Sequence, residues 1–377
     1  MYKVLHLITS LDQGGAEAIL ARFVRTSFFN STSVVVSIRS PGIVAKELIS
    51  CGIDVYSLDL SSNPLSLLTG IARWFKLVLI LKPDIVHSWL YHANLLSAAT
   101  TFFFSYKQVW GVHNSNLFQS QRINSTFFIS RLLGGVAYFQ SPTIIYCAKS
   151  ARDYHINYLG YPSSAPSSIV VNGVADSRQF HTRLLREPYL SSPSSSLSIV
   201  FGCIARYHKV KNHSLLLASF ALALKHNPNI KLVLVGEGLD LANLRLNFLI
   251  TTLGLADHVS CLGHRTDIND LILSFDFHIL ASRSEAFPSV LIESMILGTP
   301  CISTDVGDSR SIIGNCGWIS PSHSSDDLAN CILSAADLDY QRRLILMKAS
   351  YRRASTLFSL SKMSEKYDCL YRELLAK

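Results

Sequence analysis

Eight cysteines are spread over the 377 residues without a single C-x-x-C pair, so no zinc ribbon or dithiol redox motif can be built from chain neighbours. Cys51, Cys147, Cys203, Cys261, Cys301, Cys316, Cys331 and Cys369 fall mostly in apolar runs, as reduced core thiols do, which points to a cytosolic compartment. No acidic pair has metal-ligand spacing, so neither a metal nor another cofactor is expected. No zinc-finger or RNA-binding-sheet signature is present, which ranks nucleic acid last among partners. The opening run Met1 to Ile8 is too short and too interrupted for a signal peptide and reads as a first strand. Charge is missing from Ile85 to Tyr106, a stretch long enough to span a bilayer. His87, His92 and Asn94 interrupt it, however, and it divides into a strand (Ile85 to Trp89) and a helix (Tyr91 to Phe104).

What is present suits two domains: 377 residues, 49% of them hydrophobic. The net charge of +8 is uneven. Residues 1–180 carry 14 Lys and Arg against 8 Asp and Glu, whereas residues 181–377 carry 20 against 18. A basic half with few acids fits an anionic partner, either an acidic membrane surface or a phosphorylated substrate.

Strand-like and helical runs alternate from the start: Val4 to Ile8, Ala16 to Thr26, Ser33 to Ile38, Ile43 to Cys51, Val55 to Leu58. That is the pattern of a parallel sheet covered on both faces. The first strand leads into Gly14-Gly15 at a helix start, where absent side chains let a ligand approach the backbone, at the carboxyl end of a strand. Further strands are expected at 83–89 and 108–114, each with a histidine near its end, His87 and His113; His87 and His92 are candidate acceptor-side residues. Between Leu117 and Phe139, aromatic and aliphatic residues mix with Arg122 and Arg131, and Phe102, Phe103, Phe104 and Lys107 add to them. The mixture reads either as an interfacial surface or as a core with a wet face. The Ser- and Pro-rich run within 181–198 has linker composition.

The richest stretch runs from Ser284 to Pro300 and holds Glu285 and Glu293 with seven residues between them. A buried strand, 276–280, precedes it. Pro288 fits a first helical position, and Gly298 with Pro300 fits the helix stop. Such a helix points the backbone N–H groups of Phe287, Pro288's neighbour Ser289, and Val290 forward as an anion site. Glu285 would sit beside the anion. Glu293, farther down the helix, suits a neutral diol such as a ribose. A glycosidase acid and nucleophile pair is a poorer fit, because the two carboxylates would not face each other. Arg206 and Lys211, five apart after the strand 199–205, could converge on one anion and offset its charge in place of a metal. Gly236 ends another strand in a glycine turn, as backbone near a nucleotide would.

Together these residues resemble the retaining nucleotide-sugar-dependent glycosyltransferases of family four, of the bacterial surface-polysaccharide type. The shared pattern is E-x7-E from Glu285 to Glu293, followed by Ser294, Met295, Gly298 and Pro300, with R-x4-K at Arg206 and Lys211. Weaker echoes are Gly-Gly-Ala-Glu at Gly14, Asn172-Gly173-Val174 and Val306-Gly307. Two departures are Ala175 where the family has an acid, and Asp308 where it often has a second glycine. The resemblance implies the α/β GT-B fold, two Rossmann-like doubly wound domains facing across a cleft. It implies an acceptor domain (1–180), the linker (181–198), a donor domain (199–356) and a terminal helix (357–377) returning to the first domain.

As the resemblance has it, His113, Glu285, Arg206 and Lys211 serve catalysis. Gly14, Gly15, Gly236, His264, Phe287, Pro288, Ser289, Val290 and Glu293 line the donor, with the nucleobase at the His264 loop. The expected partners are a nucleotide-sugar donor and a lipid-linked or oligosaccharide acceptor, with peripheral contact to the inner membrane surface. A nucleotide-sugar epimerase on the same fold, or a silent nucleotide-sugar binder, are the alternatives. The first would need no acceptor, and the second would be expected to lose some of Arg206, Lys211 and Glu285.

Overall fold

A computed structural model describes residues 2–12, 14–26, 29, 32–61, 63–114, 125–177, 179–182 and 198–376. The expected linker lies almost wholly outside the described residues, as do Leu117, Phe118 and Arg122. The chain divides into two compact units, residues 1–175 with 360–377, and residues 176–359.

The first unit is a seven-stranded sheet of parallel neighbours: β1 (Val4–Ile8), β2 (Ser33–Ser37), β3 (Asp54–Ser57), β4 (Ile85–Trp89), β5 (Lys107–Val112), β6 (Thr143–Tyr146) and β7 (Ser167–Ile169), ordered β3-β2-β1-β4-β5-β6-β7. Every residue of β1 and β4 is buried, as continuous apolar strands with helices on both faces require. The pleat sends Val4 and Ile8 to one core, with Leu20, Phe23, Leu48, Tyr367 and Tyr371, and Leu5 and Leu7 to another, with Trp74, Val78 and Ala93. The terminal helix Leu360–Ala376 therefore belongs to this unit, and its first N–H donates to Val174 O at 2.8 Å. The charge-free run divides as its sequence suggests, into β4 and a helix Tyr91–Thr100, although that helix stops before Phe102.

The second unit has six strands: β8 (Ile199–Ile204), β9 (Ile230–Val235), β10 (Val259–Cys261), β11 (Phe277–Leu280), β12 (Cys301–Thr304) and β13 (Gly317–Ser320). They are parallel, in the order β10-β9-β8-β11-β12-β13. Strand order runs one way from β8 and the other way from β11, so the crevice at their carboxyl ends is the topological switch point, where open α/β sheets bind ligands. The unit begins at residue 176, and Phe180 is buried in it, stacked on Tyr351 with ring centroids 4.1 Å apart.

Candidate functional site

At the switch point of the second unit, β11 ends at Leu280 and the chain loops through Glu285 into the helix Ser289–Ile296. Pro288 caps this helix from outside, at φ −71° and ψ 92°. It therefore stands one residue earlier than its expected first helical position, because its ψ is still extended. Ser289 becomes the first helical residue, and the first bond to close runs from Leu291 N–H to Pro288 O at 3.1 Å. The helix start thus faces the carboxyl edge of the sheet with its positive end, at Ser289 and Val290. Phe287 and Pro288 are buried beneath it, and Glu293 is half-buried one turn on.

The helix stops as its sequence promises. Gly298 has φ +76°, its N–H donates to Met295 O at 3.0 Å, and Thr299 N–H donates to Ser294 O at 2.9 Å. A Cβ at Gly298 would lie 2.4 Å from the Phe180 ring, so space as well as φ demands glycine.

Glu285 is fixed from two sides. Lys211 Nζ donates to its Oε1 at 2.6 Å, and Ser282 Oγ donates to the same oxygen at 2.7 Å. Both charged side chains are largely shielded, with 26% of Lys211 and 15% of Glu285 exposed. The two loops are sewn together by Arg283 N–H donating to Val210 O at 2.8 Å. Lys211 itself closes a short 3-10 turn, Lys209–Lys211, capped by His208 Nδ1. Its positive charge adds to burial in holding the imidazoles of His278 and His213 neutral, down to about 3 and about 4.

Arg206 leaves β8 on the same edge, is exposed, and makes no hydrogen bond or ion pair among the described residues. Gly236 crosses directly behind it at φ +145°, where a Cβ would lie 2.1 Å from Ala205 O. The turns after β8, β9 and β10 are joined in series: Tyr207 N–H to Glu237 O at 2.7 Å, and Gly236 N–H to Gly263 O at 2.8 Å. His264 is exposed at the end of β10, at the edge of the sheet. On the other side, Gly307 at φ +53° lets β12's loop press against the Glu285 carbonyl. Asp308 needs no glycine: its φ is −94° and its N–H donates to Ala286 O at 3.0 Å. Arg206, Lys211, Gly236, His264, Glu285 and the helix start therefore all stand along one sheet edge.

In the first unit, His113 follows β5 and stacks on Trp89 at 5.0 Å and 12°. Burial lowers its imidazole to about 4, and its Nε2 is buried without a hydrogen-bond partner among the described residues. His87 is not placed to meet an acceptor. It is fully buried, its Nδ1 lies 2.6 Å from Tyr371 Oη of the terminal helix, and it packs on His6 and Trp89. The sequence reading missed this because it could not see Tyr371 returning across β4. His92 is half-buried. Of the two adjacent glycines, Gly14 is the constrained one: Glu17 folds back so that a Cβ at Gly14 would lie 2.2 Å from its Oε2, whereas Gly15 has open space. Ser10 Oγ holds the same carboxylate at 3.2 Å, so an internal anion stands at this helix start.

Among the described residues, no three His, Cys, Asp or Glu side chains cluster as a metal site.

Residues 192–353 match the family described as glycosyl transferases group 1. The chain is 31% identical over 137 residues to the N-acetyl-alpha-D-glucosaminyl L-malate synthase of Bacillus anthracis, covering 36% of this chain and 34% of that one. It is 25% identical over 178 residues to the UDP-Gal:alpha-D-GlcNAc-diphosphoundecaprenol alpha-1,3-galactosyltransferase of Escherichia coli, covering 45% of each. The chain thus spans less than half the length of these curated relatives. Anabaena HepE, solved with UDP, superposes with a TM-score of 0.82 over 98% of this chain and 100% of that one, at 21% identity. By motif, family match and fold together, residues 192–353 match the group 1 glycosyltransferases, within a chain built as the two Rossmann-like units of the GT-B fold.

Proposed function

We propose that the protein is a retaining glycosyltransferase that moves a hexose or N-acetylhexosamine from a nucleoside diphosphate sugar, with UDP as the nucleotide, to a lipid-linked glycan. The product would be a surface polysaccharide such as O-antigen, capsule or exopolysaccharide, made at the inner face of the cytoplasmic membrane. The observation that carries this reading is the Lys211–Glu285 pair at the switch point, 2.6 Å apart, beside the helix start at Ser289 and the exposed Arg206. A diphosphate needs concentrated positive charge where its own charge grows, and a neutral sugar needs a carboxylate to hold its hydroxyls. Support for the donor class comes from HepE, solved with UDP and with UDP-glucose, and for the acceptor class from the relative named for a diphosphoundecaprenol-linked sugar.

In this mechanism the bond from the sugar's anomeric carbon to the diphosphate oxygen breaks while an acceptor hydroxyl oxygen bonds to that carbon from the same face. The hydroxyl proton passes to the departing phosphate oxygen. Arg206, Lys211 and the amides at the helix start stabilise the leaving diphosphate, so no metal is required. Glu285 holds sugar hydroxyls and Glu293 the ribose, while the His264 loop meets the base. His113 has the transferred sugar as its proposed partner.

The test is incubation with a panel of nucleotide sugars, with and without lipid-linked acceptor and with and without a chelator. Acceptor-dependent release of nucleoside diphosphate, with the donor's anomeric configuration kept in the product, is expected whether or not the chelator is present. A changed sugar without acceptor, or binding without turnover, would contradict the reading.

A further inference from the structure

The helix Pro64–Leu81 has 18 residues with a mean hydropathy of 1.5, yet only 17% of that window is buried. It does not stand free of the fold: it joins β3 to β4 within one parallel sheet, and Gly70, Trp74 and Val78 seat it there. Its outer face is nonetheless apolar. Parallel strands force each crossover helix to run back toward the amino ends of the strands. The helices Pro64–Leu81, Tyr91–Thr100 and Ser125–Gln140 therefore all finish at the amino edge of the first unit's sheet, opposite the edge that carries Gly14 and His113. They finish side by side: Trp74 Nε1 donates to Thr100 Oγ1 at 3.1 Å, Phe75 and Phe103 have ring centroids 5.4 Å apart, and Gln140 Nε2 donates to Ala98 O at 3.0 Å.

At those ends Leu79, Ile80, Phe102, Phe103, Tyr138 and Phe139 are 60% to 91% exposed. Six large apolar side chains on one edge are costly in water unless something covers them. The same edge opens into a cavity of about 630 Å³ whose walls include Val78, Leu79, Phe104 and Leu375, with Lys82 and Lys107 among its lining residues. Asp84 also lines it, but its Oδ2 already accepts the Lys3 backbone N–H at 2.7 Å, and Lys3 Nζ donates to Leu81 O close by. The charged residues lining the cavity are Lys82 and Lys107 against Asp84, with Lys3 beside it. Apolar side chains rimmed by these lysines match the boundary between acyl chains and anionic headgroups.

We infer that the amino edge of the first unit's sheet docks on an anionic phospholipid leaflet, with the cavity lined by Lys82 and Lys107 receiving a lipid phosphate. This deepens the membrane association proposed above and moves it from the 117–139 stretch with Phe102, Phe103, Phe104 and Lys107 to the joined ends of three helices. It leaves Gly14 and His113 on the edge away from the bilayer, so the lipid-linked acceptor it serves is a glycan chain long enough to extend from its anchor past the depth of the sheet.

The experiment is flotation of the full chain with vesicles of phosphatidylcholine alone and of phosphatidylcholine mixed equally with phosphatidylglycerol. The readout is partition rather than transfer, so its failure is distinct from failure of the glycosyltransferase reading. The wild type is expected to float with the anionic vesicles. Lys82→Gln with Lys107→Gln should lower that partition by about thirtyfold, from roughly fivefold per surface lysine. Phe102→Ser with Phe139→Ser, both at exposed positions, should lower it by about tenfold or more through lost apolar insertion. Far-ultraviolet circular dichroism should be unchanged in both. No flotation of the wild type, or flotation that neither pair reduces, overturns the inference. So does a concentration-dependent dimer that the phenylalanine changes dissolve while vesicles bind nothing.

Discussion

Lys211 Nζ and Glu285 Oε1 lie 2.6 Å apart on two different loops, joined by the Arg283 to Val210 backbone bond, so the carboxylate and the ammonium partly cancel each other at the place proposed for the leaving diphosphate. Glu285→Gln removes the cancellation and leaves Lys211 to the diphosphate. Binding of nucleoside diphosphate is expected to hold or tighten, while transfer falls by about a hundredfold or more because the sugar loses its carboxylate partner. Calorimetric titration with UDP beside a transfer assay checks both halves. Parallel loss of binding and transfer would show that Glu285 is only a prop for its loop.

Arg206 presents the opposite case. It is exposed and bonded to nothing among the described residues, so it does little for the folded state. Arg206→Gln should leave unfolding within about 0.5 kcal/mol of wild type. Affinity for UDP should nevertheless fall by about tenfold, the scale of one charge-assisted bond. Urea titration and UDP binding on the same preparation distinguish this from a general loss of structure.

Gly298 is where stability is most sharply specified. An alanine there must adopt φ near +76° and bring its methyl group to 2.4 Å from the Phe180 ring. The conformational cost of about 1–2 kcal/mol and overpacking of about 1–3 kcal/mol should together lower stability by about 2–5 kcal/mol in denaturant unfolding. A change within experimental scatter would mean that Phe180 moves aside freely.

Acid should unfold the protein early. Burial lowers His6 and His278 to about 3 and His113, His155 and His213 to about 4, from an ordinary 6.5. The unfolded chain then takes up protons first as pH drops below 6.5, so stability is full above that value and declines toward pH 4. Each such histidine adds at most about 1.4 kcal/mol per pH unit. Urea midpoints should be level from pH 8 to about 7 and clearly lower at pH 5; equal midpoints at pH 5 and pH 7 would contradict the neutral buried imidazoles.

Much of the second unit could be read from the chain, because its information is local. Strand, loop and helix from Asp276 to Pro300 follow one another in sequence, and Gly298 and Pro300 mark the stop by chemistry that needs no distant partner. Pro288 was off by one position because its fixed φ suits both the helix and the residue before it. Strands β6, β7, β12 and β13 escaped notice, being only three or four residues each. The role of His87 was illegible for a different reason: its partner Tyr371 is 284 positions away, and only tertiary packing brings the terminal helix over β4. The curled Glu17 over Gly14, and the collection of three helix ends at one sheet edge, likewise depend on topology that local sequence does not encode.

Lys211→Met is the direct measurement of whether a leaving diphosphate is held where the helix start, Arg206 and Lys211 stand. Direct titration with UDP at constant ionic strength is expected to show affinity reduced by about tenfold or more, with the urea midpoint little changed and acceptor-dependent transfer reduced by about a hundredfold. UDP binding equal to wild type, in a variant that folds normally, would contradict the site.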